Sequence, residues 1–217
     1  MNETVVTDAR GAALPPAPGA DRHTSLDFAD TTATLPAGQS YDLLAAPDSA
    51  MRWLALHDLT TPEVRLYEVC AQRMRTLRDH VRALFTARVD GTTPPEKSLR
   101  AVNEALTALP TAPLLAWDGA QGPRRVQAHP TDQAVNHALA TLAADAADLL
   151  TGPDADLLAA CGSAPCDRFL LRTHGRRHWC STRCGDRARA ARAYARRSRA
   201  PDDAPRPSVP RDAAVHR

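Results

Sequence analysis

The stretch Cys161–Arg199, CGSAPCDRFLLRTHGRRHWCSTRCGDRARAARAYARRSR, sets four cysteines in the pattern C-x4-C-x13-C-x3-C beside the densest run of arginines in the chain. Thiolates bind Zn²⁺ at a fixed distance and each short pair supplies two at once. Two pairs across a short loop therefore suit a tetrahedral four-cysteine site. Cys161, Cys166, Cys180 and Cys184 are the candidate ligands. The ion would be structural, because four protein sulfurs leave no open position for water. The residues leave two alternatives open: a redox thiol pair at Cys180 and Cys184, and His174 or His178 in place of one thiolate. In a chain that opens without an apolar secretory region, clustered cysteines are more often metal ligands than disulfides.

The residues between and after the cysteines suggest a small strand-and-helix module. LLAAC (157–161) and RFLLRT (168–173) read as short strands; Gly162 and Pro165 suit a tight knuckle and Gly175 a turn. Ser181 is placed to cap a helix from Thr182 to about Arg197. Cys180 then precedes the helix and Cys184 lies in its first turn, where the positive end of the helix favours thiolate. Phe169 and Trp179 are the expected apolar cover for a module too small to own a core. Arg189, Arg192, Arg196 and Arg199 are spaced to share one helix face, with Arg183, Arg187 and Arg197 beside it. Arg172, Arg176 and Arg177 add charge from strand and turn. Together these arginines are the candidate nucleic-acid contacts, suited to a phosphate backbone or a major groove.

Charge is segregated. Residues 166–199 hold eleven arginines against Asp167 and Asp186, a net of +9, which leaves −7 for the rest of a chain whose total is +2. Arginine richness alone says little. Lys97 is the only lysine among 27 basic residues, and with abundant Ala and Pro this resembles the codon bias of a GC-rich bacterial genome. A mildly acidic body with a basic end is nevertheless the electrostatic footprint of a polyanion binder.

Over the whole chain hydrophobic residues make up 43% and aromatics 4%, so Ala and Leu must do most of the packing, which favours helices. The Ala, Pro and Gly-rich leader 1–22 is expected to be disordered, as is the tail 200–217. Residues 23–33 alternate like a strand or extended segment, and SYDLLAA (40–46) and PDSAMRWLALHDL (47–59) read as short helices, the second opened by Pro47. A long helix is expected from Thr61-Pro62-Glu63 to Asp90-Gly91, with Val64, Tyr67, Val69, Met74, Leu77, Val81, Leu84 and Phe85 inward. Arg65, Arg73, Arg75, Arg78, Arg82 and Arg88 would occupy or flank its outer face, and Cys70 is a small buried residue rather than a ligand. A helix after Pro94-Pro95-Glu96, a hairpin over 114–128 and a last long helix over 131–150 complete the body. The fold class is thus α+β: a mainly helical N-terminal domain (23–153) with a small β-hairpin, then a treble-clef or ribbon-like zinc finger (154–199) of short strands plus a C-terminal helix.

The segment HWCSTRCGDRARAARAYARR (178–197) resembles the CGNR zinc finger, a bacterial C-terminal domain. Its motif stands as Cys184-Gly185-Asp186-Arg187, with Asp in place of the usual Asn, and the preceding W-C-S element is Trp179-Cys180-Ser181. Between the cysteine pairs this chain has RTHGRRH, where the family often has a D-x-S-R-N-like stretch. Upstream, LDFADTTA (26–33) and YDLLAAPDSAMRWLALHDL (41–59) resemble the start of the ABATE domain that normally precedes this finger. The resemblance implies a stress-responsive transcription regulator, Zn²⁺ held by the four cysteines, and DNA binding by the basic finger.

The expected function is a DNA-binding transcription regulator whose N-terminal domain senses a small effector or pairs two copies. The alternatives are an RNA-binding module and a zinc-thiolate redox or protein-interaction module. An enzyme is not expected: the chain has no P-loop, G-x-G-x-x-G, G-x-S-x-G, H-E-x-x-H or zinc-deaminase pattern. No run approaches the ~18 apolar residues of a membrane helix, and a cytoplasmic protein is expected. Asp27, Asp30 and Trp53 are candidates for a small-ligand pocket, set against the simpler reading as caps and core edges.

Overall fold

The computed structural model describes residues 6–7, 13–34, 39–61, 64–109, 114–119, 121–126, 133–175 and 177–199. In chain order the elements are β1 (Val6–Thr7), β2 (Ala13–Leu14), α1 (Thr24–Ala29), β3 (Thr32–Thr34), β4 (Ser40–Asp42), α2 (Pro47–Leu56), α3 (Glu68–Asp90) and α4 (Glu96–Thr107). There follow β5 (Leu114–Asp118), β6 (Gly122–Val126), α5 (Ala134–Thr151), a 3-10 turn (Ala155–Leu157), β7 (Leu158–Ala160), β8 (Phe169–Leu171) and α6 (Thr182–Arg199). The strands form four separate antiparallel pairs: β1–β2, β3–β4, β5–β6 and β7–β8. Helices thus supply the body and hairpins decorate it, the α+β architecture expected.

Helix α3 is the central strut. Its buried stripe Ala71, Met74, Leu77, Val81, Leu84 and Phe85 meets Val102 of α4 and Val135, Leu139, Leu142, Ala146 and Leu149 of α5. Gly91 ends α3 in the left-handed conformation, φ 65°, which a residue without a Cβ adopts at no steric cost.

Four local expectations are corrected. Residues 24–29 form the short helix α1, not a strand. Leu26, Phe28 and Ala29 are fully buried, and the polar Ser25 and Asp27 are buried too, so burial runs round the helix and its hydrophobic period carries no signal. His23 holds α1 in place, its ring between Asp145 (3.3 Å) and Asp154 (3.1 Å), while the Asp145 carboxylate accepts the Ser25 N–H at 2.7 Å. SYDLLAA is strand β4 and a turn rather than a helix, because Asp42 accepts the Leu44 N–H at 2.9 Å and so closes a local turn. Helix α3 starts at Glu68, with Tyr67 as its N-cap, seven residues beyond Thr61. Tyr67 and Val69 are exposed rather than part of the stripe, and Pro62 and Glu63 lie outside the described residues.

The fourth correction concerns the leader. Residues 15–22 are ordered and packed, and residues 6–7 and 13–14 pair as β1 and β2. Ala17 is buried, the Pro18 carbonyl accepts the Leu171 N–H at 2.7 Å, and the Pro15 carbonyl accepts two bonds from Arg168 at 3.1 Å each. The low hydrophobicity that suggests disorder is what allows this backbone to lie close against β8. Gly19 has φ 97°, and a Cβ there would come within 2.4 Å of Leu171 Cγ. The tail 200–217 lies outside the described residues.

The outward arginines of α3 are also redirected. Arg78 is buried and pairs with Asp42 at 2.6 and 3.0 Å. Arg75 donates to the Leu44 carbonyl at 2.7 Å, and Arg82 to those of Ala29 (2.7 Å) and Asp167 (3.0 Å). Arg75 and Arg82 thereby give part-buried carbonyls of Leu44 and Ala29 a donor, and Arg78 neutralises a carboxylate.

Gly19→Ala is expected to cost about 2–4 kcal/mol, from the left-handed backbone and the clash with Leu171. Gly175→Ala, with nothing within 4 Å of the added Cβ, should be near neutral. Urea unfolding of the two variants beside the parent checks the contrast.

Candidate metal centre and basic helix

Strands β7 and β8 form a hairpin with register Leu158↔Leu171, Ala159↔Leu170 and Ala160↔Phe169. Successive side chains of a strand point to opposite faces, and this hairpin uses both. Leu158, Phe169 and Leu171 face the helical core, where Phe169 meets Phe85 edge-on at 5.6 Å. Ala159 and Leu170 face the four cysteines, with Ala17 beside them. Phe169 is therefore a residue of the main core, not the expected cover of the metal site; Leu170 takes that place, and Trp179 packs at its edge.

The cysteines are presented by three pieces of local structure. The knuckle after β7 supplies Cys161 and Cys166: the Cys161 N–H donates to the Arg168 carbonyl at 2.8 Å, Cys166 N–H to the Ser163 carbonyl at 3.0 Å, and Gly162 N–H to the His178 carbonyl at 2.9 Å. Cys180 arrives on the return segment, its N–H 3.5 Å from Cys161 Sγ. Cys184 sits in the first turn of α6, which Ser181 caps as expected, its Oγ accepting the Cys184 N–H at 3.3 Å.

All four cysteines are buried, and their Sγ atoms lie within 4.8 Å of one another. Cys166 and Cys180 are 3.7 Å apart, Cys180 and Cys184 3.6 Å. A Zn–S distance of about 2.3 Å gives a tetrahedron with an edge of about 3.8 Å, so the donors fit zinc. No disulfide joins them, and all four are free. Without a cation the crowded sulfurs share protons unevenly. Hydrogen bonding from Cys166 holds Cys161 down to about 6, and that from Cys161 holds Cys184 below the ordinary thiol value, while Cys161 pushes Cys166 and Cys180 up. A bound Zn²⁺ would stabilise the thiolates and close the finger. His174 and His178 are exposed and outside this ligand group; Cys70 is also outside it, half-buried against the helical core rather than fully buried.

One ion pair locks the finger to the body. Arg168 is 2% exposed and Asp30, just after α1, also 2%; Arg168 Nε donates to Asp30 Oδ2 at 3.0 Å, and Phe169 N–H to Asp30 Oδ1 at 2.9 Å. Arg168 Nη1 also lies 4.0 Å from Cys180 Sγ. Burial pushes the Asp30 carboxyl up to about 7, against the opposing pull of Arg168. Asp27 accepts from Trp53 Nε1 at 3.1 Å and bonds His57 Nε2 at 2.9 Å. Asp27, Asp30 and Trp53 are thus buried residues with partners inside the fold, in keeping with their simpler reading as part of the frame. The sequence reading overlooked Arg168 as a connector. Two aspartates in the apolar run LDFAD, Asp27 and Asp30, signal that buried partners must meet them, but not which residues those are.

The candidate contact arginines separate by environment. Arg187 is only half exposed: Nη2 donates to the Ser163 carbonyl at 2.6 Å and approaches Cys184 Sγ at 3.5 Å. That ties it to the knuckle and corrects its place among freely presented charges. Arg189 and Arg192 lie over Trp179, at 5.6 and 5.5 Å from the ring. Gly185 leaves room for that ring, since a Cβ there would sit 3.1 Å from it. Arg172, Arg177, Arg183, Arg196 and Arg197 are exposed. Arg176 and the Arg199 side chain lie outside the described residues.

Residues 22–153 match ABATE, described as "Putative stress-induced transcription regulator". The chain belongs to the ABATE family. Residues 158–197 match the CGNR zinc finger, the segment that carries the four cysteines and α6. No curated protein matches the chain. Among the described residues no helix is long and apolar enough to cross a membrane.

Two outcomes are expected of this site. Arg168→Met should cost about 3–5 kcal/mol by leaving Asp30 buried and unpaired; adding Asp30→Asn should recover part of it, because Oδ1 still accepts from Phe169. Thermal unfolding of the single and double variants tests this. Chelation should melt α6 and the knuckle but leave most of the ABATE helices, because those have a core of their own. Far-UV circular dichroism read against zinc release would show a partial loss of helix signal, not a complete one.

Proposed function

We propose that this ABATE protein is a DNA-binding transcription regulator, acting in the cytoplasm, whose CGNR finger holds duplex DNA. The observation that carries this is the presentation of α6. Trp179 lies under Arg189 and Arg192, and the first turns are anchored through Cys184 and Arg187. Beyond them Arg189, Arg192, Arg196 and Arg197 are exposed, and on a helix Arg189, Arg192 and Arg196 fall within an arc of about 60°. A cationic ridge on a rigid, zinc-closed base suits a phosphate backbone, where each neutralised phosphate releases counterions. Arg172 and Arg177 lie on the segment between the cysteine pairs and widen the charged surface.

The ABATE domain is proposed to sense a small effector or to pair two copies, and the finger's zinc to be structural, with no catalytic part. Two copies would give a single short recognition helix the second half-site that specific affinity generally needs.

Fluorescence anisotropy of labelled duplex DNA with zinc-loaded protein is the test. Four or five phosphate contacts predict a slope of log K against log salt of about −4, hence roughly a 250-fold loss between ~50 and ~200 mM salt. Cys180→Ser and chelated protein should not bind. Binding that survives zinc removal, or a preference for structured RNA over duplex DNA at equal salt, would overturn this function.

A further inference from the structure

Between the knuckle and α6 lies a cleft of roughly 500 Å³, lined by Ser163, His178, Trp179, Arg187, Arg192 and small residues. Three buried side-chain polar atoms lack a hydrogen-bond partner among the described residues: Ser25 Oγ, Ser163 Oγ and Arg187 Nε. Two of the three belong to this one cleft. Ser163 is only 3% exposed, so leaving its hydroxyl unsatisfied carries a full desolvation cost. Arg187 cannot turn away to find water, because Nη2 is held by the Ser163 carbonyl at 2.6 Å.

We propose that this cleft binds a phosphoryl group. Arg187 Nε–H and the Ser163 hydroxyl are donors without acceptors, Arg192 brings a second guanidinium to the rim, and no carboxylate is among the lining residues. A phosphate oxygen accepts from both orphan donors, and its charge is met by the two arginines. A cation is disfavoured by the same charges, and a purely apolar ligand would leave the donors unpaired. The ring of Trp179 forms part of the wall, already faced by Arg189 and Arg192. The phosphoryl group comes from a nucleic-acid backbone or from a free phosphate compound. The first source rests on the DNA-binding function above, the second does not.

The test uses full-length, zinc-loaded protein with Ser163→Ala and Arg192→Gln, zinc content being measured for each. Ser163→Ala removes the hydroxyl but keeps the carbonyl that holds Arg187, and Arg192 is exposed, so both variants should retain zinc. Two probes are read: anisotropy of a labelled DNA duplex, and broadening of the ³¹P resonance of inorganic phosphate. With a backbone phosphate in the cleft, Ser163→Ala weakens duplex binding about tenfold; Arg192→Gln also removes a ridge charge, so it lowers the salt slope by about one whether or not the cleft is filled. Phosphate broadening that both variants abolish, in protein that does not bind duplex, supports the cleft as a site for a free phosphate compound and sinks the DNA reading. Undiminished duplex binding by Ser163→Ala, with no phosphate broadening, overturns the cleft and leaves the DNA reading standing. Failure of parent protein to bind either probe overturns both.

Discussion

The carboxylate of Asp30 and the guanidinium of Arg168 are both all but removed from water, and the arrangement of the finger depends on their meeting. Each charge buried alone would cost several kcal/mol, so neither is tolerable without the other. Their pairing places the start of β8 against the end of α1. Arg168 also ties in the leader through the Pro15 carbonyl and lies beside Cys180. Arg82 reinforces the same seam from α3, reaching Asp167 while covering Phe169 at 5.2 Å.

The finger is therefore not a separate bead on a linker. Its hairpin is a shared wall, one face completing the ABATE core and the other closing on the cysteines. The metal supplies what the cysteine face lacks in apolar area, and the helical core supplies what a module of this size lacks alone. A shift of α1 or α3 would act on β8 and thus on the cysteine cage. On the proposed function, a signal received by the helical domain has a short, packed route to the basic helix.

Arginine has at least three roles here, which composition blends into one. Arg75, Arg78, Arg82 and Arg168 close carbonyls and carboxylates inside the fold. Arg187 braces the knuckle. Arg189, Arg192, Arg196 and Arg197 stand on the part of α6 that projects beyond its anchored turns. The last set, together with the exposed Arg172, Arg177 and Arg183, contributes most to a field that a polyanion would feel, although Asp186 offsets part of the charge of Arg189.

The sequence by itself determined the metal site and the helix that carries it. Cysteine spacing, the Ser181 cap and the charge run are local signals, and zinc chemistry allows few arrangements of four thiols. It also determined the stripe of α5 and the glycine end of α3, where a period or a positive φ leaves its mark on nearby residues. Tertiary structure decided the rest. Buried on all sides, α1 shows no helical period, and β4 depends on a turn made by Asp42. Residues 15–22 of the leader pack where β8 offers a surface to them. Which arginine meets Asp30 was also decided there, since 138 positions separate the partners and pairing over that distance is set by packing rather than by any local pattern.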